Sequence, residues 1–247
     1  MNTTLFVSDL HLCPTRPAIN QAFFDFLRGP AAQAQAVYIL GDLFESWAGD
    51  DDDDPFNGSI LQALRSLSST GVTLYLMHGN RDFLIGQRFS ADSGATLLPD
   101  PTLLDLYGTP TLLMHGDTLC TDDIGYQEFR KKVRDPRYQQ QFLAQPLVNR
   151  KQIIAGLQTE NVEKKQLKSD AIMDVTPATV EAVLREYRYP RLIHGHTHRP
   201  AVHKHIVDGR VCERWVLADW YTTGSYLASD ATGLKNVELP VAGGTRV

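Results

Sequence analysis

Cysteine is scarce in this 247-residue chain: Cys13, Cys120 and Cys212 are three, an odd number, far apart and without a CxxC pair. That argues against a disulfide framework and a cysteine-ligated zinc, and it suits a reducing compartment. Long apolar runs are missing too. No stretch approaches the roughly 20 apolar residues needed to span a bilayer. The first residues, MNTTLFVSDLH, lack the basic start and long apolar core of a signal peptide. Positive charge is in deficit, with 24 Lys and Arg against 29 Asp and Glu for a net charge of -5. General nucleic-acid binding needs a basic surface, so nucleic acid is not an expected partner. The expectation is a cytoplasmic protein, free or held at a membrane surface. With 43% hydrophobic and 21% charged residues the chain reads as globular, one large α/β domain or two small ones.

What is present is a concentration of histidine. LIHGHTHRP (192–200) places His194, His196 and His198 at alternate positions behind a short apolar run. A metal site, one catalytic histidine with bystanders, and an inert surface loop all fit this triplet. Its context is more informative. LFVSDLH (5–11), VYILGDLFE (37–45), LYLMHGNRD (74–82), LLMHGD (112–117) and LIHGHTH (192–198) share one layout. Each is a strand-like apolar run that ends abruptly in Asp, His, Asn or Gly. AINQAFFDFLRG (18–29) and ILQALRSLSSTG (60–71) read as amphipathic helices closed by glycine. Strand, helix, strand is the layout of a parallel α/β sheet, and such sheets gather ligands beyond the carboxyl ends of their strands. The five polar clusters therefore converge in space although the sequence scatters them.

Asp9, His11, Asp42, Asn80, His115, His196 and His198 supply two carboxylates, one amide and four imidazoles. Seven donors exceed one tetrahedral ion but suit two ions of higher coordination that share a carboxylate. Imidazole and oxygen without thiolate favour Mn²⁺ or Fe²⁺ over a structural zinc. Two divalent ions and two aspartates leave the site near +2, which calls for an anionic substrate such as a phosphate ester or anhydride.

At this point the chain resembles the calcineurin-like metallophosphoesterases, whose blocks D-x-H, G-D, G-N, H and G-H-x-H occur here in order. They are Asp9-Leu10-His11, Gly41-Asp42, Gly79-Asn80, His115 and Gly195-His196-Thr197-His198. The resemblance implies a β-sandwich flanked by helices. It assigns one ion to Asp9, His11, Asp42 and His198 and a second to Asp42, Asn80, His115 and His196, leaving His194 as a bystander. Where many members carry G-N-H-E, this chain has Gly79-Asn80-Arg81-Asp82. Arginine is a poor general acid and a good phosphate clamp. A phosphate leaving group needs little protonation, so Arg81 points to a pyrophosphate as the scissile bond.

The closer similarity is to the bacterial UDP-2,3-diacylglucosamine diphosphatases of lipid A synthesis. It rests on SDLHL, YILGDLFE, HGNRDFL, LLMHGDTLCTDD, AIMDV and LIHGHTHRPAVH. That resemblance implies two Mn²⁺ and a metal-activated hydroxide attacking the uridine-bearing phosphorus, giving UMP and 2,3-diacylglucosamine 1-phosphate (lipid X). It also implies work at the cytoplasmic face of the inner membrane. Asn80, Arg81 and His196 become the catalytic residues, and Asn80, Arg81, Asp123, Asn161, Lys165, Lys168 and His196 the substrate contacts. A cyclic-nucleotide or dinucleotide hydrolase would share the metal ligands and is the alternative.

Residues 126–170 hold ten Lys or Arg and five Asp or Glu, a local +5 in an acidic chain. Within 140–158, Phe142, Leu143, Leu147, Val148, Ile153, Ile154 and Leu157 recur at broadly helical spacing. This predicts a helical cap over about 122–172 of a single domain spanning 1–247, apolar towards acyl chains and basic towards phosphate or anionic lipid. A hairpin that merely packs on the sheet is the plainer reading of the same spacing. Asp50–Asp54 read as a solvated loop, His78 as packing, His203 and His205 as surface residues, and Cys120 as a buried thiol. Trp47 and Trp220 read as packing or as flanks of an entrance. Asp117 is a candidate to orient His115.

Overall fold

In the computed structural model, described over residues 3–167 and 174–240 and for all their side chains except 160–167, the apolar blocks become strands of two facing sheets. Strands β1 (Thr4–Val7), β2 (Ala36–Ile39) and β3 (Thr73–Met77) run parallel in the first. They are flanked by β4 (Thr96–Leu98) on one side and by β10 (Gly224–Asp230) and β11 (Gly233–Leu239) on the other. The second sheet has the order β5 (Thr102–Leu106), β6 (Thr109–Met114), β7 (Arg191–His194), β9 (Arg210–Val216), β8 (Ala201–Val207). The five motif-bearing strands thus divide between two sheets, where the strand–helix–strand pattern alone suggested one.

Side-chain alternation explains why these strands read as unbroken apolar runs. Leu5 and Val7 of β1 face α1 (Pro17–Arg28), α2 (Pro55–Ser68) and α3 (Gln87–Ser93), while Phe6 between them faces the other sheet. Across the gap, Leu113 and Ile193 meet Phe6, and their neighbours Leu112 and Leu192 face α7 (Pro177–Glu186). The result is four layers: helix, sheet, sheet, helix. A one-residue slip in any of these strands would exchange its two buried faces. Trp220 is fully buried, its ring edge-on to Phe23 and Phe26 of α1, so it packs and flanks no entrance.

Helix α2 starts five residues before the sequence reading placed it. The Asp54 side chain accepts the Phe56 N–H at 2.9 Å and Pro55 takes the first helical position. A capping carboxylate followed by proline is a strong start signal. Among the described residues, the α-helices between β6 and α7 are α4 (Ile124–Val133), α5 (Pro136–Leu143) and α6 (Leu147–Leu167). Residues 140–158 are therefore not one helix. Pro146 separates α5 from α6.

Candidate metal centre

Every motif block ends its strand at the same rim. Asp9 and His11 follow β1, Asp42 follows β2, Asn80 follows β3, His115 follows β6, and His196 and His198 follow β7. Parallel register sets the heights: Val7 is beside Ile39, and Ile39 beside Leu76. The two sheets are stitched at the rim, where the Asp9 carboxylate accepts the His196 N–H at 2.8 Å and the Ser8 hydroxyl at 2.6 Å. Close approach needs glycine there. A Cβ on Gly79 would lie 2.1 Å from Asp42 Oδ1, and one on Gly195 2.0 Å from Ser8 Oγ.

The seven side chains meet. His198 Nε2 lies 3.2 Å from Asp9 Oδ1 and 3.4 Å from His11 Nε2. Asn80 Oδ1 lies 3.1 Å from His115 Nε2 and 2.9 Å from His196 Nδ1. Asp42 stands between these groups, with Oδ2 3.8 Å from His11 Nε2 and Oδ1 3.9 Å from His115 Nε2. Asp9, His11, Asp42 and His115 are buried. Asp9, His11, Asp42, His196 and His198 all have φ between 50° and 68°. That left-handed backbone costs about 1–2 kcal/mol per ordinary residue, and such strain concentrates at functional sites.

The donor set fits divalent ions on an observation of its own. His115 Nδ1 donates to the Leu40 carbonyl at 2.8 Å, so in the neutral ring Nε2 carries a lone pair. That lone pair faces Asn80 Oδ1, another acceptor, and a proton or a cation must sit between them. Burial opposes protonation of His115, but Asp42, Asp117 and Asp9 outweigh it and push its pKa up to about 9. Burial drives His196 the other way, to about 3, with His115 adding to the shift. Burial raises Asp42 to about 6. Asp9 is also buried, yet its bond to His198 and the nearby imidazoles hold it well below the usual carboxylate range. These buried carboxylates and imidazoles are thus arranged to receive positive charge, and a metal ion would bind through the same lone pairs.

Two residues that motif spacing did not single out hold this centre. The fully buried Asp82 carboxylate accepts the N–H groups of Gly79 at 2.8 Å, Leu43 at 2.8 Å and Asp42 at 3.3 Å. It thereby ties the loop after β2 to the loop after β3. Glu45 Oε2 lies 3.3 Å from His11 Nδ1 and 2.6 Å from Arg16, and Oε1 lies 3.6 Å from Arg81. Both stand inside quoted blocks, GNRD and GDLFE, but nothing in a carboxylate's sequence position tells a ligand from its support.

Three expectations change. Asp117 does not orient His115, whose Nδ1 is taken by Leu40; its Oδ2 instead accepts Tyr126 Oη and Arg130 Nε of α4, each at 2.7 Å. The Asp50–Asp54 loop is solvated in part, with Asp51 and Asp53 exposed, but it is also anchored. Asp50 accepts the backbone N–H groups of Gly86 and Phe89, Asp51 pairs with Arg150, Asp52 with Lys151 and Asp53 with Arg88. The basic residues of the cap do not all face a ligand either, because Arg130, Arg134 and Arg150 turn inward onto the loops of the centre. His194 is buried, with Nε2 3.1 Å from Arg214 Nη1. His203 is exposed on β8, His205 contacts Arg214, and Cys120 is buried with its thiol raised by desolvation to about 12.

A cavity of about 470 Å³ lies between Asn80, Arg81 and residues of α4, α5 and α6. Trp47, Phe83, Phe129, Phe142, Ile154 and Leu157 wall it, and Glu45, Asp123 and Tyr126 supply polar edges. Asp123 also accepts the Tyr126 N–H at 3.1 Å, capping α4. Asn161 and Lys165 belong to α6, but their side chains lie outside the described residues, as does Lys168 altogether.

The pattern of calcineurin-like phosphoesterases matches residues 3–200. The chain belongs to that family. It is also similar over nearly its full length to several curated proteins. One is the UDP-2,3-diacylglucosamine hydrolase of Aromatoleum aromaticum, 55% identical over 94% of this chain and 94% of that one. The Cellvibrio japonicus protein of the same name is 52% identical over 94% of this chain and 96% of its own. The one from Xanthomonas campestris pv. campestris is 51% identical over 96% of this chain and 99% of its own. In this calcineurin-like phosphoesterase the five motif blocks all lie within the matched region.

Proposed function

We propose that this chain hydrolyses the pyrophosphate of UDP-2,3-diacylglucosamine, releasing UMP and lipid X, and that two Mn²⁺ serve it. The observation that carries the reading is the apolar cavity opening directly onto the donor cluster. A ligand with a charged diphosphate and greasy chains needs both in contiguity, and a cyclic nucleotide has no use for the second. The naming of the similar proteins supports the same substrate.

Asp9, His11, Asp42 and His198 would hold one ion, and Asp42, Asn80, His115 and His196 the other. Bound there, divalent ions lower the pKa of water to about 7 and neutralise phosphoryl charge. The protein's own part is orientation. The Arg81 guanidinium, held near Glu45, clamps the diphosphate beside Asn80 and His196. The cavity walls would exclude water from the lipid half, and the family resemblance makes Asp123, Asn161, Lys165 and Lys168 further substrate contacts.

Arg81→Ala should lower kcat/KM for UMP release on the order of a hundredfold while Mn²⁺ content stays unchanged. The backbone N–H of Arg81, which donates to Asp42 Oδ1 at 2.7 Å, survives that truncation. Undiminished turnover would show that the side chain clamps nothing.

We place the protein at the cytoplasmic face of the inner membrane, docked through its cap. Ile124, Val148 and Ile153 are 68%, 60% and 39% exposed there, with Lys131, Lys132 and Arg137 also exposed on the cap. Among the described residues no helix is long and apolar enough to cross a membrane. The deciding assay follows UMP release by metal-stripped protein, with and without Mn²⁺, from UDP-2,3-diacylglucosamine and from UDP-N-acetylglucosamine. Mn²⁺-dependent release from the acylated substrate alone is expected. Equal turnover of both would remove the lipid from the reading.

A further inference from the structure

Arg150 is almost fully buried, and its guanidinium is spent entirely within the protein. Nε donates to the Gln145 carbonyl at 3.0 Å, Nη1 to the Ala48 carbonyl at 2.6 Å, and Nη1 and Nη2 together grip the Asp51 carboxylate. Room for it is made at Gly49, where a Cβ would sit 2.4 Å from Nη1. Ala48, Gly49 and Asp51 belong to the loop after β2, which also carries Trp47. Arg150 itself lies on α6, one face of which carries residues four, seven and eight positions on: Ile154, Leu157 and Gln158. Trp47 of that loop and Ile154 and Leu157 of α6 all line the apolar cavity. Gln158 donates to the Glu45 carbonyl at 3.0 Å, and Lys151 pairs with Asp52 at 2.8 Å, so both ends of this face are tied to the same loop.

We propose that Arg150 is a positioning residue that clamps α6 to the loop after β2 and so sets the width of the cavity that receives the apolar chains. A planar fork holding a carboxylate and a carbonyl at once fixes an angle as well as a distance, which a lysine cannot do. Arg150 touches neither the metal ligands nor Arg81. Its loss should therefore change recognition of long chains and spare the chemical step. The inference rests on an acylated substrate occupying the cavity.

The test compares the wild-type chain with Arg150→Met, Arg150→Lys and Asp51→Asn on UDP-2,3-diacylglucosamines bearing long or short acyl chains. Circular dichroism and Mn²⁺ content verify folding and the metal centre, and hydrogen exchange over 147–159 reads the attachment of α6. Expected for Arg150→Met are a roughly tenfold or greater rise in KM for the long-chain substrate, kcat within about twofold, and little change with short chains. Arg150→Lys and Asp51→Asn should fall between it and wild type, and exchange in α6 should accelerate in the same order. Equal losses with both chain lengths, or unchanged KM with faster exchange, would overturn the clamp as a selector. An inactive wild type would instead overturn the substrate reading, and the selector with it. Should Arg150→Met fail to fold, the same comparison is made with Asp51→Asn.

Discussion

Replacing Asp42 by asparagine should cut kcat for UMP release on the order of a thousandfold and lower Mn²⁺ occupancy, without unfolding the chain. Asp42 Oδ2 lies 3.8 Å from His11 Nε2 and Oδ1 3.9 Å from His115 Nε2, so its two oxygens face imidazoles of both groups. Asparagine keeps the shape and tolerates the φ of 53° at this position, so the loss would report charge and ligation and not backbone strain. The amide would also place an N–H₂ group where a metal ion requires a lone pair. Titrating Mn²⁺ while following both metal content and turnover separates the two consequences. If the variant retained wild-type turnover at saturating Mn²⁺, Asp42 would not bridge.

The second large effect is expected in stability. Asp82→Ala removes one carboxylate but strands three backbone N–H groups, those of Asp42, Leu43 and Gly79. An unsatisfied buried donor costs about 1–3 kcal/mol, and bonds to a charged acceptor stand at the upper end of that range. Some of the three would find water, so a net loss of about 3 kcal/mol is reasonable. For a chain of this size that is a fall in Tm of roughly 6–12 °C. Activity should fall beyond what unfolding explains, because the two loops that Asp82 joins carry Asp42 and Asn80. Thermal denaturation with and without Mn²⁺ checks this. A change in Tm below about 2 °C would mean that the loops are held by their strands alone.

Glu45 and Asp82 show where reading along the chain stops. Asp9, His11, Asp42, Asn80, His115, His196 and His198 were legible because each ends an apolar run, and parallel strands deliver such ends to one rim. Glu45 sits three residues past Asp42 and Asp82 two past Asn80, in the same blocks, yet they serve as supports. Ligand and support differ only in the direction of the side chain, which the turn after the strand decides. The inserted helices were legible as a charged and apolar segment. That Arg130, Arg134 and Arg150 fasten inward was not, because their partners Asp117, Gly79 and Asp51 come from loops after three different strands.

Local rules therefore determined the strands, the helices and the chemical kind of the centre. Alternation of side chains makes a strand buried on both faces read as one apolar run, and histidine beside carboxylate at its end requires no partner from elsewhere to be recognised. Periodicity and residue type left open that the five strands divide between two sheets and that Asp42 stands between two groups of donors, which packing decided. Packing also decided that the five consecutive aspartates 50–54 are engaged, Asp51 and Asp52 of them with α6 of the cap. These are relations between segments far apart in sequence, 99 residues for Asp51 and Arg150 and 189 for Asp9 and His198, and they follow from which surfaces pack together. Charge pattern gives the means of such pairing, and only packing selects the pair.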